Sequence, residues 1–394
     1  MEGKDEKLWT RDFILHCISY LLLSIAFYFL LPTLPIYVVK ALNEDASKVG
    51  YIIGFYALSA LLIRPFAGYA MDAYGRKNIY IGAMVVYILL MASYNLAASF
   101  TLLIIIRLLH GFTWGVITTG GSTITADLVP LKKRGQGIGF FGLSITLSMA
   151  IGPIIGLWIM GENAYDRLFY SSAVLGILAL ILISQINITH FTGRKTKLSW
   201  NSIFEKKVIH IAMVMLFAAV PFAGIMSFIT LYSEELGFAN GGSFFITYAL
   251  GVSIFRPFAG TIMDKKGPFW LMLGSFLATI AGLIMLSYVH SFTGFLIAAF
   301  VVGLGNGVIM PTIQTMIINM VPPTRRGVAN STFFSAIDLG IGVGSVFLGY
   351  LADLTSIAFM YRICGLLLIP PMIYFFSVVI QHYSKIVAEL KTSD

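Results

Sequence analysis

Two sets of residues in this chain have types and spacing that could do chemistry, and in both the chemistry is the handling of charge. The run Gly68-x-x-x-Asp72-x-x-Gly75-Arg76-Lys77 places an acid beside two bases, and Asp127 closes another apolar stretch. Acid near base at helix ends can lock segments together through charge-assisted hydrogen bonds, reinforced by helix dipoles. Asp338 is different. Of the 18 acids it alone sits in the middle of an apolar run, about ten residues in, or ~15 Å from the near end. An ionised carboxyl there costs at least ~2.5 kcal/mol on insertion scales, and such residues usually mark ion or proton pathways. The competing reading is a packing aspartate held permanently by its neighbours. Ser331, Ser335, Asp338, Gly342, Ser345 and Gly349 recur at steps of three and four, one small polar face of a helix.

Arg107 is the matching cation, about two turns inside its own stretch, and its face continues through His110, Trp114, Thr118, Ser122 and Thr125. A second stripe runs Asp12, His16, Tyr20, Ser24 and Tyr28, each four apart, while Asn306 and Gln314 stand eight apart on a third stretch. Polar groups facing lipid would be unsatisfied, so these stripes predict the walls of a water-accessible cavity. Phe27, Tyr28, Phe112, Trp114, Phe228, Tyr248, Phe333 and Phe334 would suit an apolar or aromatic ligand. The bland readings are a structural tie for Arg107 and a satisfied hydrogen-bonder for His16. No His, Cys and carboxylate cluster has ligand or catalytic spacing, so no metal, no cofactor and no enzyme is expected. Cys17 and Cys364 read as buried small hydrophobes.

The elements that must position these residues are membrane helices. Charged residues make up 11% and hydrophobic ones 58% of the chain, too little polar surface for a soluble domain. Apolar stretches long enough to span the hydrocarbon centre on 13–38, 48–70, 78–98, 101–127, 137–160, 168–188, 208–233, 240–262, 269–288, 292–320, 328–350 and 357–380. No small-residue cleavage site follows the first, so no cleaved signal peptide is expected. The net charge of +8 invites a nucleic-acid reading, but the placement of the charges rejects it. Lys40, Lys48, Arg167 and Arg362 fall on one side, and Arg64, Arg107 and Arg256 within spans. The remaining Lys and Arg fall on the other side, which predicts both termini in the cytoplasm. The long basic loop 189–207 divides an N-terminal six-helix bundle (1–188) from a C-terminal one with a short cytoplasmic tail (208–394).

The two halves repeat. Arg64-Pro65-Phe66-Ala67-Gly68 returns as Arg256-Pro257-Phe258-Ala259-Gly260, and Met71-Asp72 as Met263-Asp264, at a constant shift of 192 positions. The same shift carries Val129-Pro130 and Arg134-Gly135 onto Val321-Pro322 and Arg326-Gly327, and Gly111, Gly115 and Gly152 onto Gly303, Gly307 and Gly344. In a membrane chain, two parallel halves point to alternating-access transport. Asp127 maps onto Asn319 and Arg76 onto Pro268, while Asp264 persists. A cation and an anion are lost together, so Asp72, Gly75, Arg76, Lys77 and Asp127 are expected to form one cytoplasmic gate, with Asp264 a remnant lacking partners.

Six plus six spans with this loop signature resemble the major facilitator superfamily over essentially the whole chain. Arg107-x-x-His110-Gly111 is similar to that family's arginine motif in span 4, with His110 where glutamine is usual. Gly142 followed by Gly152-Pro153-x-x-Gly156 resembles the span 5 motif of its proton-coupled drug exporters. The spacing after Gly142 is stretched, and Leu157 stands in place of a second terminal glycine. The resemblance implies an all-α fold of twelve transmembrane helices in two pseudo-symmetric bundles, spans 1, 4, 7 and 10 around a central cavity, and a loop stabilising the outward-facing state. The glycines and Pro153 would let span 5 slide at the boundary of the halves. The function expected is proton-driven efflux of a small amphipathic or aromatic molecule, as in multidrug resistance, with Asp338 and Arg107 coupling the proton. The alternatives are export of an endogenous metabolite such as a sugar or a metallophore, uptake by symport, a membrane-embedded enzyme, and a transporter-like sensor. The expected partners are lipid, protons and a small substrate, with no nucleic acid. The expected setting is a monomer in a bacterial inner membrane.

Overall fold

The computed structural model describes residues 7–44, 48–188, 199–238 and 241–393. Its described residues are helical, with no strand among them. Twelve helices are long and apolar enough to cross a bilayer: α1 (Arg11–Ala41), α2 (Tyr51–Tyr74), α3 (Arg76–Leu96), α4 (Phe100–Leu128), α5 (Leu131–Met160), α6 (Tyr165–Ser184), α7 (Lys206–Glu235), α8 (Ser243–Lys266), α9 (Phe269–Ser287), α10 (Phe292–Asn319), α11 (Pro323–Leu354) and α12 (Ile357–Leu390). All the predicted spans appear. The largest differences are at polar ends: α5 starts before 137 and α12 continues past 380, because a helix ends at a breaker and not where its residues turn polar. Residues 189–198 of the expected linker lie outside the described residues.

The helix ends repeat as the sequence does. Ser99 Oγ accepts the Leu102 N–H at 3.3 Å at the start of α4. Ser291, its counterpart in the second repeat, accepts the Gly294 N–H at 3.2 Å at the start of α10. Each cap satisfies one orphan donor of a helix start. Gly75 and Gly267 join α2 to α3 and α8 to α9 at φ 98° and 76°, a backbone region that L side chains rarely adopt. That geometry allows a near one-residue reversal.

The chain forms two compact units, one of Met1–Pro130, Phe141–Phe204 and Pro323–Ser331, the other of Leu131–Phe140, Glu205–Pro322 and Thr332–Asp394. Each is built chiefly from one repeat but contains the first turns of a helix from the other: the start of α11 belongs to the first unit, the start of α5 to the second. Inside each unit the same glycines permit the same close crossing. A Cβ at Gly111 or Gly115 of α4 would collide with Tyr56, Ser59, Ala60 or Ile63 of α2. A Cβ at Gly303 or Gly307 of α10 would collide with Tyr248 or Val252 of α8. Small residues substitute here for the hydrophobic drive that lipid removes.

Candidate functional site

The densest polar cluster of the first unit forms where α2, α3, α4 and the first turn of α11 converge. Asp72 lies one turn after Gly68 on α2. Its carboxylate accepts the backbone N–H groups of Gly327 at 3.0 Å and Val328 at 2.9 Å, at the start of α11. A carboxylate aimed at exposed amides of a helix N-terminus gains both the hydrogen bonds and the dipole. Gly68 makes room, since a Cβ there would lie 2.6 Å from the Gly327 carbonyl oxygen. Around this clamp is an ionic network. Arg76 donates to Asp72 at 3.3 Å, to Asp127 and to the Pro323 carbonyl. Arg326 donates to the other oxygen of Asp127 at 2.6 Å and to the Ala126 carbonyl at 3.0 Å. The Asp127 side chain is 2% exposed, so two guanidinium groups bracket one buried carboxylate.

In the second unit the same clamp recurs, with Asn319 standing where the first has Asp127. Asp264 of α8 accepts the N–H groups of Gly135 at 2.8 Å and Gln136 at 2.9 Å, at the start of α5. Gly260 gives the clearance that Gly68 gives above, with a Cβ falling 2.6 Å from the Gly135 carbonyl oxygen. Arg134 donates to Asn319 Oδ1 at 2.6 Å, and the Asn319 amide donates to the Tyr383 hydroxyl at 3.3 Å. Asp264 was expected to lack partners, and that expectation is corrected. Its partners are backbone amides, which no count of charged side chains reveals. Lys77, expected in the gate, instead donates to the Ser184 and Ile186 carbonyls at 3.1 and 2.7 Å, capping the C-terminal end of α6. Gly75 serves as the turn between α2 and α3.

The residues expected around a cavity divide into packed and partly open ones. His16 is buried, its Nε2 2.9 Å from the Gly121 carbonyl and 3.1 Å from Thr125 Oγ1. Its ring stacks on Phe141 at 5.1 Å, and Tyr20 packs on the same Phe141 at 4.5 Å. Ser24 is buried with them. His16 and Tyr20 of α1 thus pack against α4 and α5 inside the first unit: a four-residue step marks a face without saying what covers it. Arg107 is also enclosed. Its guanidinium lies 4.2 Å from the Tyr56 ring centroid, and it donates to the Ile52 carbonyl and the Tyr94 hydroxyl, both at 3.4 Å. Tyr94 also pairs with His110 Nδ1 at 2.8 Å, so Arg107 and His110 are joined through one tyrosine.

Trp114 and Tyr28 are half-buried. Trp114 stacks on Phe27 at 4.2 Å, and Tyr28 meets Phe27 edge-on at 5.1 Å. Thr118 accepts a hydrogen bond from Arg64 at 2.8 Å. In the second unit Asn306 pairs with Tyr248, Gln314 is buried, and Asp338 is half-buried on α11. Gly152 and Gly156 press against Tyr28 and Phe29 of α1. They pack α5 against α1 within its own unit. Pro153 lies inside α5 beside them, and Gly142 accepts from Thr146 at 3.3 Å. Sequence reasoning gave no role to Arg134, Asn319, Arg326 and Tyr383. The repeat of Arg134-Gly135 as Arg326-Gly327 was the available signal.

A family model described as the Major Facilitator Superfamily matches residues 17–247 and 239–390. An uncharacterized MFS-type transporter of Methanocaldococcus jannaschii is 26% identical over 356 residues, 85% of this chain and 89% of the relative. The staphylopine export protein of Staphylococcus aureus is 23% identical over 366 residues, 85% and 88% of the two chains. The quinolone resistance protein NorA of the same species is 26% identical over 355 residues, again 85% and 88%. Among solved structures, the human organic anion transporter MFSD10 (TETRAN) superposes with a TM-score of 0.81 at 15% identity, covering 92% of this chain and 98% of that one. The Escherichia coli fucose:proton symporter FucP gives 0.77 at 15%, covering 93% and 98%. At that identity the structural likeness speaks to the fold alone.

Proposed function

The chain belongs to the major facilitator superfamily, a multi-pass membrane transporter and not an enzyme, and from that premise we propose proton-coupled efflux of a small amphipathic or aromatic molecule. The observation that carries the reading is the pair of carboxylate clamps. Each holds the first turn of a helix from one repeat against the α2 or α8 end of the other. Clamps of this kind can be made and broken as a unit, which alternating access requires. Breaking them exposes charged groups that water at the cytoplasmic face can solvate.

Asp338 is the proposed proton site. Protonated, it is neutral and at home in the bundle; ionised, it requires water or a cation. That difference couples its occupancy to the state of the transporter. Arg107, tied to Tyr94 and His110, responds to that charge. The half-buried Trp114 and Tyr28, with Phe27, supply the surface for an aromatic substrate. The staphylopine exporter and the quinolone resistance protein support export as the direction. The first of these also supports the alternative of a substrate that is not a drug. The proposed setting is the plasma membrane of a bacterium, as a monomer, with both termini in the cytoplasm on the evidence of the basic loops. The test is efflux of norfloxacin and ethidium from everted vesicles under an imposed pH gradient. Gradient-dependent transport is expected and should vanish in Asp338→Asn while downhill exchange persists. Undiminished uphill transport by that variant would remove Asp338 from the mechanism.

A further inference from the structure

The last helix, α12, carries a stretch that its counterpart in the first half lacks. The shift of 192 positions places α6, Tyr165–Ser184, onto residues 357–376. α12 begins at that point, at Ile357, and continues to Leu390. The added turns start at a change of winding. Over Phe375–Val379 the helix widens into a π-turn, and the Ile380 N–H bonds to the Phe375 carbonyl five residues back. Such turns are rare and frequently mark functional sites. At ~1.5 Å per residue the 34 residues of α12 are ~50 Å long, against ~30 Å of hydrocarbon. The end with Gln381, Ser384 and Lys385, all exposed, is the one that stands clear of lipid.

His210, in the second turn of α7, is a staple across the π-turn. Its Nδ1 pairs with the Tyr374 hydroxyl just before that turn, and its ring meets the His382 ring beyond it, with centroids 4.8 Å apart. His382 Nε2 lies 2.9 Å from the Lys207 carbonyl of α7. A carbonyl only accepts, so Nε2 carries the hydrogen and His382 is the donor. Both imidazoles are half-buried, open enough to exchange protons with water. The next residue, Tyr383, lies ~100° further round the helix. Its hydroxyl accepts the Asn319 amide at 3.3 Å, and Asn319 in turn accepts from Arg134 at 2.6 Å, beside the second clamp. One helical turn therefore holds a histidine on α7 and a tyrosine on the clamp.

Imidazole is the side chain whose charge changes between about pH 5 and 8. One proton added to the pair is met by the Lys207 carbonyl or the Tyr374 hydroxyl, both of which can accept. Two put like charges on rings 4.8 Å apart. Among the described residues no carboxylate is hydrogen-bonded to either ring. The charged side chains on the elements around them are Glu205, Lys206 and Lys207 before His210, Lys385 and Glu389 beyond His382, and Arg134 and Asp264 near Tyr383. Cations are in excess, so a second proton finds no relief. We propose that the end of α12 is an acid-released latch on the second clamp. With the pair neutral or singly charged, the end lies on α7 and keeps Tyr383 on Asn319. With both rings charged, it swings away about the π-turn and takes Tyr383 with it, leaving Asn319 and Arg134 less constrained. The docked end binds fewer protons than the released one, so falling pH favours release and rising pH restores docking. The device depends on neither the substrate nor Asp338.

The experiment uses the purified full chain in nanodiscs with spin labels at Lys206 and Lys385, both exposed. The short distance should dominate at about pH 8, and the long one should grow by about pH 5, the window of the imidazole. The change in population should be roughly five- to 150-fold, the range of a coupling between sites. His382→Gln keeps a donor for the Lys207 carbonyl, and His210→Gln keeps a partner for Tyr374, but neither can take the charge. Either variant should stay short throughout. A wild-type distance that ignores pH overturns the proposal, as does an acid response that survives in both single variants. Amide exchange at Gly135 and Gln136, corrected for its intrinsic pH dependence, reads the clamp. It should rise with acid in the wild-type chain, and Tyr383→Phe should abolish the rise while the labels still separate. A rise that persists in Tyr383→Phe assigns it to Asp264 and overturns the latch. Exchange that stays constant while the wild-type end is released does the same.

Discussion

The two clamps are built on the same backbone plan and differ only in what surrounds it. Asp72 and Asp264 both sit four residues after a glycine, and both hold two amides at a helix start. Around Asp72 the chain adds Arg76, Asp127 and Arg326, a buried ionic network. Around Asp264 it adds Arg134, Asn319 and Tyr383, joined by hydrogen bonds to a neutral amide. The shared part is therefore the carboxylate on the helix N-terminus, and the buried Asp127 between two arginines is an elaboration of one repeat. A buried ion pair contributes little net stability against a neutral replacement, yet removing one member of it is expensive. The first clamp should accordingly be brittle towards mutation and the second tolerant, even where their proposed contributions to a gate are similar.

The largest effect expected is at Asp127. Asp127→Ala leaves Arg76 and Arg326 facing each other without their shared anion and should cost about 3–5 kcal/mol, read as loss of thermal stability in detergent. The converse change, Asn319→Asp, should be tolerated, because Arg134 already donates to that position. Comparable losses at both sites would erase the distinction between the carboxylate at 127 and the amide at 319.

Next come the glycines. Gly68→Ala and Gly260→Ala each place a methyl 2.6 Å from a backbone oxygen, and overpacking of this kind costs about 1–3 kcal/mol. The two losses should match, since the backbone plan is shared; a neutral Gly260→Ala would show that the second clamp is loose. Below these lies Asp264→Asn, which keeps the shape but removes the anion from the amides, about 0.5–2 kcal/mol. Local amide exchange at Gly135 and Gln136 should rise, while that at Gly327 and Val328 stays unchanged. The smallest effect is Tyr383→Phe. It removes one hydrogen bond at Asn319, about 0.5–1.5 kcal/mol, and should loosen the second clamp alone.

Much of this plan is written in the sequence, but unevenly. Side-chain charges identify themselves, so Asp72, Arg76 and Asp127 could be grouped from their types and from the joint replacement at Pro268 and Asn319. Apolar length located every span, because the hydrocarbon sets it. Backbone donors carry no residue type, so the amides at Gly327 and Gly135 were invisible, and Asp264 looked unpartnered for that reason. Periodicity identified the His16–Tyr20–Ser24 face but not the Phe141 ring that covers it, since a stripe looks the same whether it faces water or another helix. Lys77 is a base beside an acid in sequence, yet its long flexible stem reaches the end of α6 instead. The Gly152 and Gly156 pair announced a close approach without naming α1 as its object.

The central proposal is that two clamps of the same backbone plan act together as a gate at the cytoplasmic face. The most direct test is the distance distribution between spin labels at Gln185 and Lys385, both exposed and outside the clamps, in the full chain in nanodiscs. Asp72→Asn and Asp264→Asn should each shift weight from the short to the long distance. A coupling of 1–3 kcal/mol per clamp corresponds to roughly five- to 150-fold changes in population, and the double variant should shift further than either single one. A distribution that stays at the wild-type distance in the double variant would contradict the claim.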